Sequence, residues 1–206
     1  MENYQDFKVF LNKLENKPKL LLHCCCGPCS THTLNVLKDY FQITLFYDND
    51  NIDTLDEFNL RLHELNIVKD NLSNDSKIVV KDYEPKRYYE KIKGYEHLGE
   101  HSLRCYKCIE LRMEDACKYA KENGYDYFTT TLSISPYKSS DDINEIGYRL
   151  AEKYQNNYLY SNFKKENGYQ NSIKLSHELH LYRQDYCGCI YSKVEHEERM
   201  KNDSKD

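Results

Sequence analysis

Cysteine is the residue type in this chain with the most chemical potential. Nine cysteines occur in 206 residues, and eight of them fall in three short stretches. Thiolates are soft ligands that bind zinc, copper(I) and iron–sulfur clusters. If Cys24 and the solitary Cys117 are set aside, seven thiols remain, enough for a four-ligand site and three further ligands. These candidate metal ligands are Cys25, Cys26, Cys29, Cys105, Cys108, Cys187 and Cys189.

The spacing of these cysteines favours metal binding. Cys105-x-x-Cys108 opens an expected helix, so both sulfurs share one face and the helix N-terminus stabilises their negative charge. Gly188 permits a turn that aims Cys187 and Cys189 inward. Adjacent thiols in extended backbone point in different directions, which suits two neighbouring metal centres. Cys117 lies in the middle of a helix and is expected to be a small core residue.

Two other functions are compatible with these cysteines. Cys26-Gly27-Pro28-Cys29 is the redox tetrapeptide of thioredoxin-like thiol–disulfide oxidoreductases, between a strand and a helix. That chemistry leaves the other two cysteine pairs without a role. Four cysteines could instead hold a structural zinc ion in a non-catalytic RNA-binding protein.

The elements that must position the cysteines alternate along the chain. An amphipathic helix is expected over residues 4–15, another after Thr54, a third from Pro85 and a long one from Leu103 to Asn123. Such alternation predicts a parallel sheet covered by helices, with sites at the carboxyl ends of its strands. Cys24–Cys29 follow the first strand and Thr129–Ser133 end the fourth, so both are expected at one edge. The five expected strands are Lys19–His23, Gln42–Tyr47, Lys77–Lys81, Asp126–Thr131 and Asn157–Tyr160.

Composition restricts the protein class. Residues 1–206 are expected to form one α/β domain ending in a charged tail at 196–206, and the net charge of −5 excludes a uniformly basic nucleic-acid binder. No apolar run approaches the ~20 residues that cross a bilayer. The first six residues are polar and acidic, which is unlike a signal peptide. A cytoplasmic location is therefore expected, where clustered cysteines bind metal or do redox work.

The order and spacing of several motifs resemble the QueH family of epoxyqueuosine reductases. The similarity extends from about residue 19 to residue 195 of this chain. Two departures are an extra thiol at Cys24 and a Tyr47–Ile52 segment that lacks the family's proline. The matching motifs are His23-x-Cys25-Cys26-x-Pro28, Leu98-Gly99-Glu100, Arg104-Cys105-x-x-Cys108, Phe128-x-Thr130-Thr131-Leu132, Ser135-Pro136-x-Lys138 and Tyr182-Arg183-Gln184-x-Tyr186-Cys187-Gly188-Cys189.

This resemblance implies a fold, a reaction and its cofactors. The fold would be Rossmann-like, related to the adenine nucleotide alpha-hydrolases of the HUP class. The reaction would be a cobalamin-independent, two-electron deoxygenation of epoxyqueuosine to queuosine at the wobble position of a tRNA anticodon. The cofactors would be a [4Fe-4S] cluster and an adjacent mononuclear metal ion, iron or zinc. The partners would be the tRNA and a low-potential electron donor, with no membrane.

Roles for individual residues follow as hypotheses from the resemblance. Cys25, Cys105, Cys108 and one of Cys187 and Cys189 would hold the cluster, and the remaining thiols of the seven would hold the second ion. Lys164, Lys165 and Lys174 are candidates for a tRNA-facing patch. The candidate catalytic residues are Lys138, Tyr182, Arg183 and Tyr186, and the candidate substrate-binding residues are Arg104, Thr130, Ser135 and Gln184.

Overall fold

Four short apolar or β-branched runs form a sheet in which every strand is parallel. The structure is a computed structural model that describes Met1 and residues 3–203. The sheet order is β3-β2-β1-β4, with β1 at the centre beside β2 and β4. The α/β class expected from the sequence is confirmed, and the sheet is Rossmann-like. The strands are β1 (Lys19–His23), β2 (Gln42–Tyr47), β3 (Lys77–Val80) and β4 (Tyr127–Thr130).

Helices cover both faces of this sheet. Leu20 and Leu22 of β1 face one hydrophobic cluster, while Leu21 between them faces the other, as alternation along a strand requires. A 3₁₀ turn at Thr131–Ile134 follows β4. The helices are α1 (Tyr4–Asn12), α2 (Gly27–Leu37), α3 (Leu55–Leu72), α4 (Pro85–Lys91), α5 (Leu103–Glu122), α6 (Ser140–Tyr154), α7 (Gly168–Glu178) and α8 (Ile190–Asp203).

The prediction of a fifth strand at Asn157–Tyr160 is wrong. It makes one parallel bridge beside β4, between Phe128 and Tyr158. The ladder stops there because the carbonyl oxygen of Leu159 accepts a 2.8 Å hydrogen bond from the side-chain hydroxyl of Thr129. Beyond that pair, β4 ends and the chain turns into the 3₁₀ helix.

The carboxyl-terminal segment is helical over most of its length. The stretch expected as a charged tail continues α8 as far as Asp203, and the tail's last three residues lie outside the described part of the chain. Within residues 3–203, no helix combines the length and the apolar character needed to span a membrane. The end of β1 and the starts of α2, α5 and α8 are the places where the clustered cysteines lie.

Candidate metal centre and active site

Two adjacent thiols just after β1, those of Cys24 and Cys25, lie in different surroundings. Cys24 is fully buried in the hydrophobic cluster beneath α2, and its Sγ donates to the carbonyl of Leu22 at 3.3 Å. Burial raises the pKa of this thiol well above its usual range. Cys25 faces the opposite side of the extended backbone, where its Sγ lies 3.6 Å from Thr131 Oγ1. Cys24 is therefore a core residue, whereas Cys25 belongs to the site.

Three sulfurs meet at the beginning of α2. Cys26 is the N-cap of this helix and Cys29 lies in its first turn. The sulfurs of Cys25, Cys26 and Cys29 all lie within 4.8 Å of one another, and those of Cys25 and Cys26 are 3.8 Å apart. A Cβ added at Gly27 would lie 2.7 Å from the backbone of α3, so glycine allows α2 to start against α3. These three thiols could bind a metal ion.

One cavity gathers sulfurs from all three cysteine stretches. Its volume is about 980 Å³, and it opens at the carboxyl edge of the sheet. Cys26 is not part of its lining but touches Cys25 directly behind the wall. We call this space the sulfur cavity. The cysteines that line it are Cys25, Cys29, Cys105, Cys108, Cys187 and Cys189.

Helix α5 and the loop before α8 supply the other four thiols. Ser102 caps α5, which places Cys105 in its first turn and Cys108 one turn later. Burial raises the pKa of Cys108 to about 12, so this thiol must lose its proton to bind a metal. Gly188 has a φ of +128°, a left-handed conformation that favours glycine. Cys108 and Cys189 pack in the same buried cluster.

A buried arginine holds the Cys-Gly-Cys loop in place. Arg61 is 2% exposed, and its Nη1 donates to the carbonyl of Cys187 at 3.1 Å. Its Nε pairs with Glu57 at 2.7 Å, and its guanidinium lies over the ring of Tyr186. The sequence did not single out Arg61, since its only local signal is an i,i+4 spacing from Glu57.

Two of the sulfurs, those of Cys25 and Cys187, are stabilised as thiolates. Burial raises the pKa of Cys187, but Lys138 and Arg112 outweigh that effect and lower it. The pKa of Cys25 lies well below its usual range because Cys26 and Cys29 donate hydrogen bonds to it, with help from Lys138. These two thiols therefore favour the thiolate, the form that binds metal, whereas burial and their sulfur neighbours raise the pKa values of Cys26, Cys29, Cys108 and Cys189.

Arg112 was missed by sequence reasoning, although a signal existed. It follows Cys108 by four residues on α5, so both side chains share one face of the helix. Arg112 is buried, and it donates to the Cys108 carbonyl and to Asn49 Oδ1, both at 3.4 Å. Asn49 in turn donates to the Cys24 carbonyl at 2.9 Å. The segment without the family's proline is therefore still built into the site.

Most of the candidate catalytic and substrate-binding residues line the sulfur cavity. Gln184 Nε2 lies 3.1 Å from Cys26 Sγ, and the hydroxyl of Tyr186 donates to Asp53 at 2.9 Å. Arg104 is buried and pairs with Glu195 at 2.7 Å. The candidates in the lining are Arg104, Ser135, Lys138, Arg183, Gln184 and Tyr186.

Two candidates lie outside the cavity lining. Thr130 is buried behind it, where its Oγ1 lies 2.9 Å from Nδ1 of His23. Tyr182 is partly exposed, and its hydroxyl points to Glu57 at 3.4 Å. Of the three lysines predicted to face tRNA, Lys164 lines the cavity, whereas Lys165 and Lys174 are exposed elsewhere.

Comparison with known proteins identifies the family. A family model described as "Epoxyqueuosine reductase QueH" matches residues 20–195. An epoxyqueuosine reductase QueH of Streptococcus pyogenes serotype M1 is 38% identical over 183 residues, which is 85% of this chain and 71% of that protein. The Staphylococcus epidermidis protein of the same name is 37% identical over 92% of this chain and 82% of its own length. The Thermotoga maritima protein is 35% identical over 87% of this chain and 93% of its own length. The motifs around the sulfur cavity and these matches together show that the chain belongs to the QueH family of epoxyqueuosine reductases.

Proposed function

We propose that this chain reduces epoxyqueuosine in the anticodon of tRNA to queuosine, at the sulfur cavity. Two electrons and two protons are consumed, both carbon–oxygen bonds of the epoxide break, a carbon–carbon double bond forms, and the oxygen leaves as water. A low-potential donor would supply the electrons, without cobalamin. The observation that carries this proposal is the arrival of thiols from three distant stretches at one cavity, in a chain of this family.

The donor set fits a [4Fe-4S] cluster and a mononuclear iron or zinc ion. Seven thiols divide into four and three, and thiolates suit both groups. Asn51 and Gln184 line the cavity, and their buried amide oxygens have no hydrogen-bond partner among the described residues. When bound, such a pair of centres supplies single electrons and a Lewis acid for the epoxide oxygen.

The grouping of the sulfurs favours a different division from the one suggested by the sequence. Cys25 lies with Cys26 and Cys29, whereas the sequence hypothesis assigned it to the cluster with the cysteines of α5. Cys108 packs with Cys189, and the pKa of Cys108 responds to Cys187, Cys189 and Cys105. We therefore assign the mononuclear ion to the first three thiols. The cluster ligands would be Cys105, Cys108, Cys187 and Cys189.

Lys138 is the best-placed residue to assist the departing oxygen. Burial lowers the pKa of its ammonium, but Cys187 and Cys25 outweigh this and raise it, so Lys138 stays protonated. Its positive charge would stabilise negative charge developing on the epoxide oxygen. Arg183, Gln184 and Tyr186 would orient the modified base, because they line the same cavity. Arg104 would act through its ion pair with Glu195, as a positioning residue for α8.

The direct test is conversion of the modified nucleoside. Anaerobically reconstituted protein is incubated with epoxyqueuosine-containing tRNA and a low-potential reductant, and the digested nucleosides are analysed by mass spectrometry. Wild type is expected to give queuosine, and Cys105→Ser to give none. Cys117→Ala is the matched control, because Cys117 is buried between α5 and α6 and away from the cavity. A colourless, inactive wild type that binds only zinc or only exchanges disulfides would contradict the proposal.

A further inference from the structure

The mouth of the sulfur cavity carries an unusually exposed aromatic ring. Tyr137 lines the cavity and is 70% exposed, more than any other large hydrophobic side chain in the described residues. Its one aromatic neighbour among those residues is His101, whose ring centroid lies 6.4 Å away in a tilted arrangement. One face of the ring is therefore available to a partner.

The backbone under this ring is held in place. Ser135 accepts two hydrogen bonds of 3.3 Å from the backbone. The N–H of Tyr137 donates to its Oγ, and the N–H of Lys138 donates to its carbonyl oxygen. The ammonium of Lys164 donates to the Lys138 carbonyl at 2.5 Å, and Pro136 restricts the turn further. A ring on a rigid turn loses little conformational entropy when it binds a partner.

Positive charge lies in the lining of the same cavity. Lys138, Lys164 and Arg183 line the cavity, and none of them forms an ion pair with a carboxylate within the described chain. Of the carboxylates in the lining, Glu100 pairs with Arg199, and Asp185 lies 3.2 Å from Nε2 of His196. Asp142 is the acidic lining residue without a cationic partner in that part of the chain, and Asp141 beside it attracts Lys164.

An exposed ring beside cations is the combination that binds single-stranded nucleic acid. Bases stack on aromatic side chains while Lys and Arg neutralise the backbone, and such recognition targets unpaired loops. A protein partner with a charged surface would gain little from a lone ring at a cavity mouth. Because Tyr137 both lines the cavity and is largely exposed, a base that enters the cavity beside it would leave its neighbour at the ring.

We infer that Tyr137 stacks on the unpaired base next to the one that enters the sulfur cavity, and that Lys164 neutralises the phosphate between them. This inference rests on the proposed function and specifies how the RNA loop is held. Tyr137 is thus a positioning residue for the nucleic acid, and Lys164 is its electrostatic partner.

The test measures, by fluorescence anisotropy, the binding of a fluorescein-labelled, unmodified anticodon stem–loop. Loss of one stacked base is expected to weaken binding about tenfold in Tyr137→Leu. Tyr137→Phe and Tyr137→Trp should bind within about twofold of wild type, because both keep a ring. Tyr89→Leu is the matched control, since Tyr89 is an exposed tyrosine on α4 that does not line the cavity; it should bind as wild type does.

Salt dependence separates stacking from charge. Lys164→Ala should lower the slope of log K against log salt by about 1, whereas Tyr137→Leu should leave the slope unchanged. Wild-type affinity in Tyr137→Leu, or equal losses in the leucine and tryptophan variants, would overturn the inference. So would an equal loss for a blunt duplex with the same stem, or a Tyr137→Leu protein that binds weakly because it has lost its metal.

The nucleoside assay distinguishes the two levels of failure. If wild type binds the hairpin through Tyr137 but does not convert epoxyqueuosine, the proposed function fails and the stacking inference stands. If wild type converts the nucleoside and Tyr137→Leu binds normally, only the stacking inference fails.

Discussion

At the scale of single residues, Cys24 and Cys25 offer a matched pair of thiols with opposite surroundings. Cys24 faces the hydrophobic core and Cys25 faces the sulfur cavity. We expect Cys24→Ala to keep its bound iron and to lose about 1 kcal/mol of stability, as for removal of a small buried group. Cys25→Ala should lose the mononuclear ion and keep the iron of the cluster, while its free energy of unfolding as apoprotein changes less. Anaerobic metal analysis and denaturant titration check both; iron loss in Cys24→Ala alone would contradict the assignment.

Asp48 is expected to make the stability of the protein depend on pH. It is 2% exposed, and burial, with repulsion from Asp115 and Asp50, raises its pKa from 3.8 to about 7. Arg87 pairs with both of those carboxylates, while Oδ2 of Asp48 has no hydrogen-bond partner among the described residues. Asp48 is therefore expected to be neutral in the folded protein below about pH 7.

The sign of the Asp48 effect follows from proton linkage. Between about pH 4 and about pH 7 the folded state holds a proton that the unfolded state has lost, so this residue's contribution to stability falls as pH rises. Asp48→Asn cannot ionise, so its stability relative to wild type should increase across that range, by at most about 4 kcal/mol. Denaturant titrations of both holoproteins from about pH 5 to about pH 8 measure the difference. A constant difference would show that Asp48 ionises normally.

The thiols of the site could be predicted from the sequence, whereas the cations around them could not. Clustered cysteines carry their chemistry in their residue type and spacing, so the sequence singled out the six thiols that line the cavity and Cys26 behind its wall. Arg61 and Arg112 reach the site from the middle of α3 and α5, where a charged residue usually faces solvent. Only the packing of these helices against the Cys-Gly-Cys loop and against Asn49, in the segment after β2, shows that both arginines are buried.

At the scale of elements, the start of α8 is tied to the site by Ser192. Its Oγ accepts the backbone N–H of Cys187 at 2.8 Å and donates to Glu100 at 2.7 Å. Glu100 is fixed from the other side by Arg199, and Glu195 accepts the backbone N–H of Glu100 at 3.0 Å. The Leu98-Gly99-Glu100 motif therefore anchors the helix that follows the last two cysteines.

We expect Ser192→Ala to release this anchor. Removing the hydroxyl leaves two partly buried groups, the Cys187 N–H and Oε1 of Glu100, without this partner, which costs about 1–3 kcal/mol each at most. The variant should lose iron faster to a chelator and shift the visible absorption of the centre. Ser76→Ala is the matched control, because Ser76 is also buried and, among the described residues, hydrogen-bonds only to Ser73, far along the chain from any cysteine stretch. Equal chelation rates in the two variants would argue against the anchor.

The strands were more predictable than the later helices. β1 and β2 have the predicted bounds because each is a continuous buried run in the middle of the sheet. Residues 157–160 have similar composition, but their hydrogen bonds go partly to the side chain of Thr129. α8 is rich in charged residues and could not be distinguished from a solvated tail, because its contacts with Glu100 and Arg104 lie about ninety residues away in the chain.

At the scale of the whole molecule, a bound metal centre would act as a cross-link. The sulfur cavity brings together the segment after β1, the first turns of α5 and the loop before α8. In the unfolded chain, long segments separate these three parts. A ligand that binds only the folded state stabilises it by RT ln(1 + [L]/Kd), about 4 kcal/mol when the ligand exceeds Kd a thousandfold. This stabilisation should act mainly on the segments that carry the thiols.

Metal removal should therefore loosen the molecule unevenly. We expect the apoprotein to melt at a lower temperature than the holoprotein and to exchange amide hydrogens fastest in α8 and in the first turn of α5. β1 and β2 should keep most of their protection, because their hydrophobic contacts on both faces of the sheet do not involve the centre. Hydrogen–deuterium exchange with mass spectrometry on both forms measures this, and Cys105→Ser, which lacks a cluster ligand, should resemble the apoprotein. A uniform loss of protection would mean that the thiols support the whole sheet, and unchanged protection in α8 would mean that the helix holds its place without the metal.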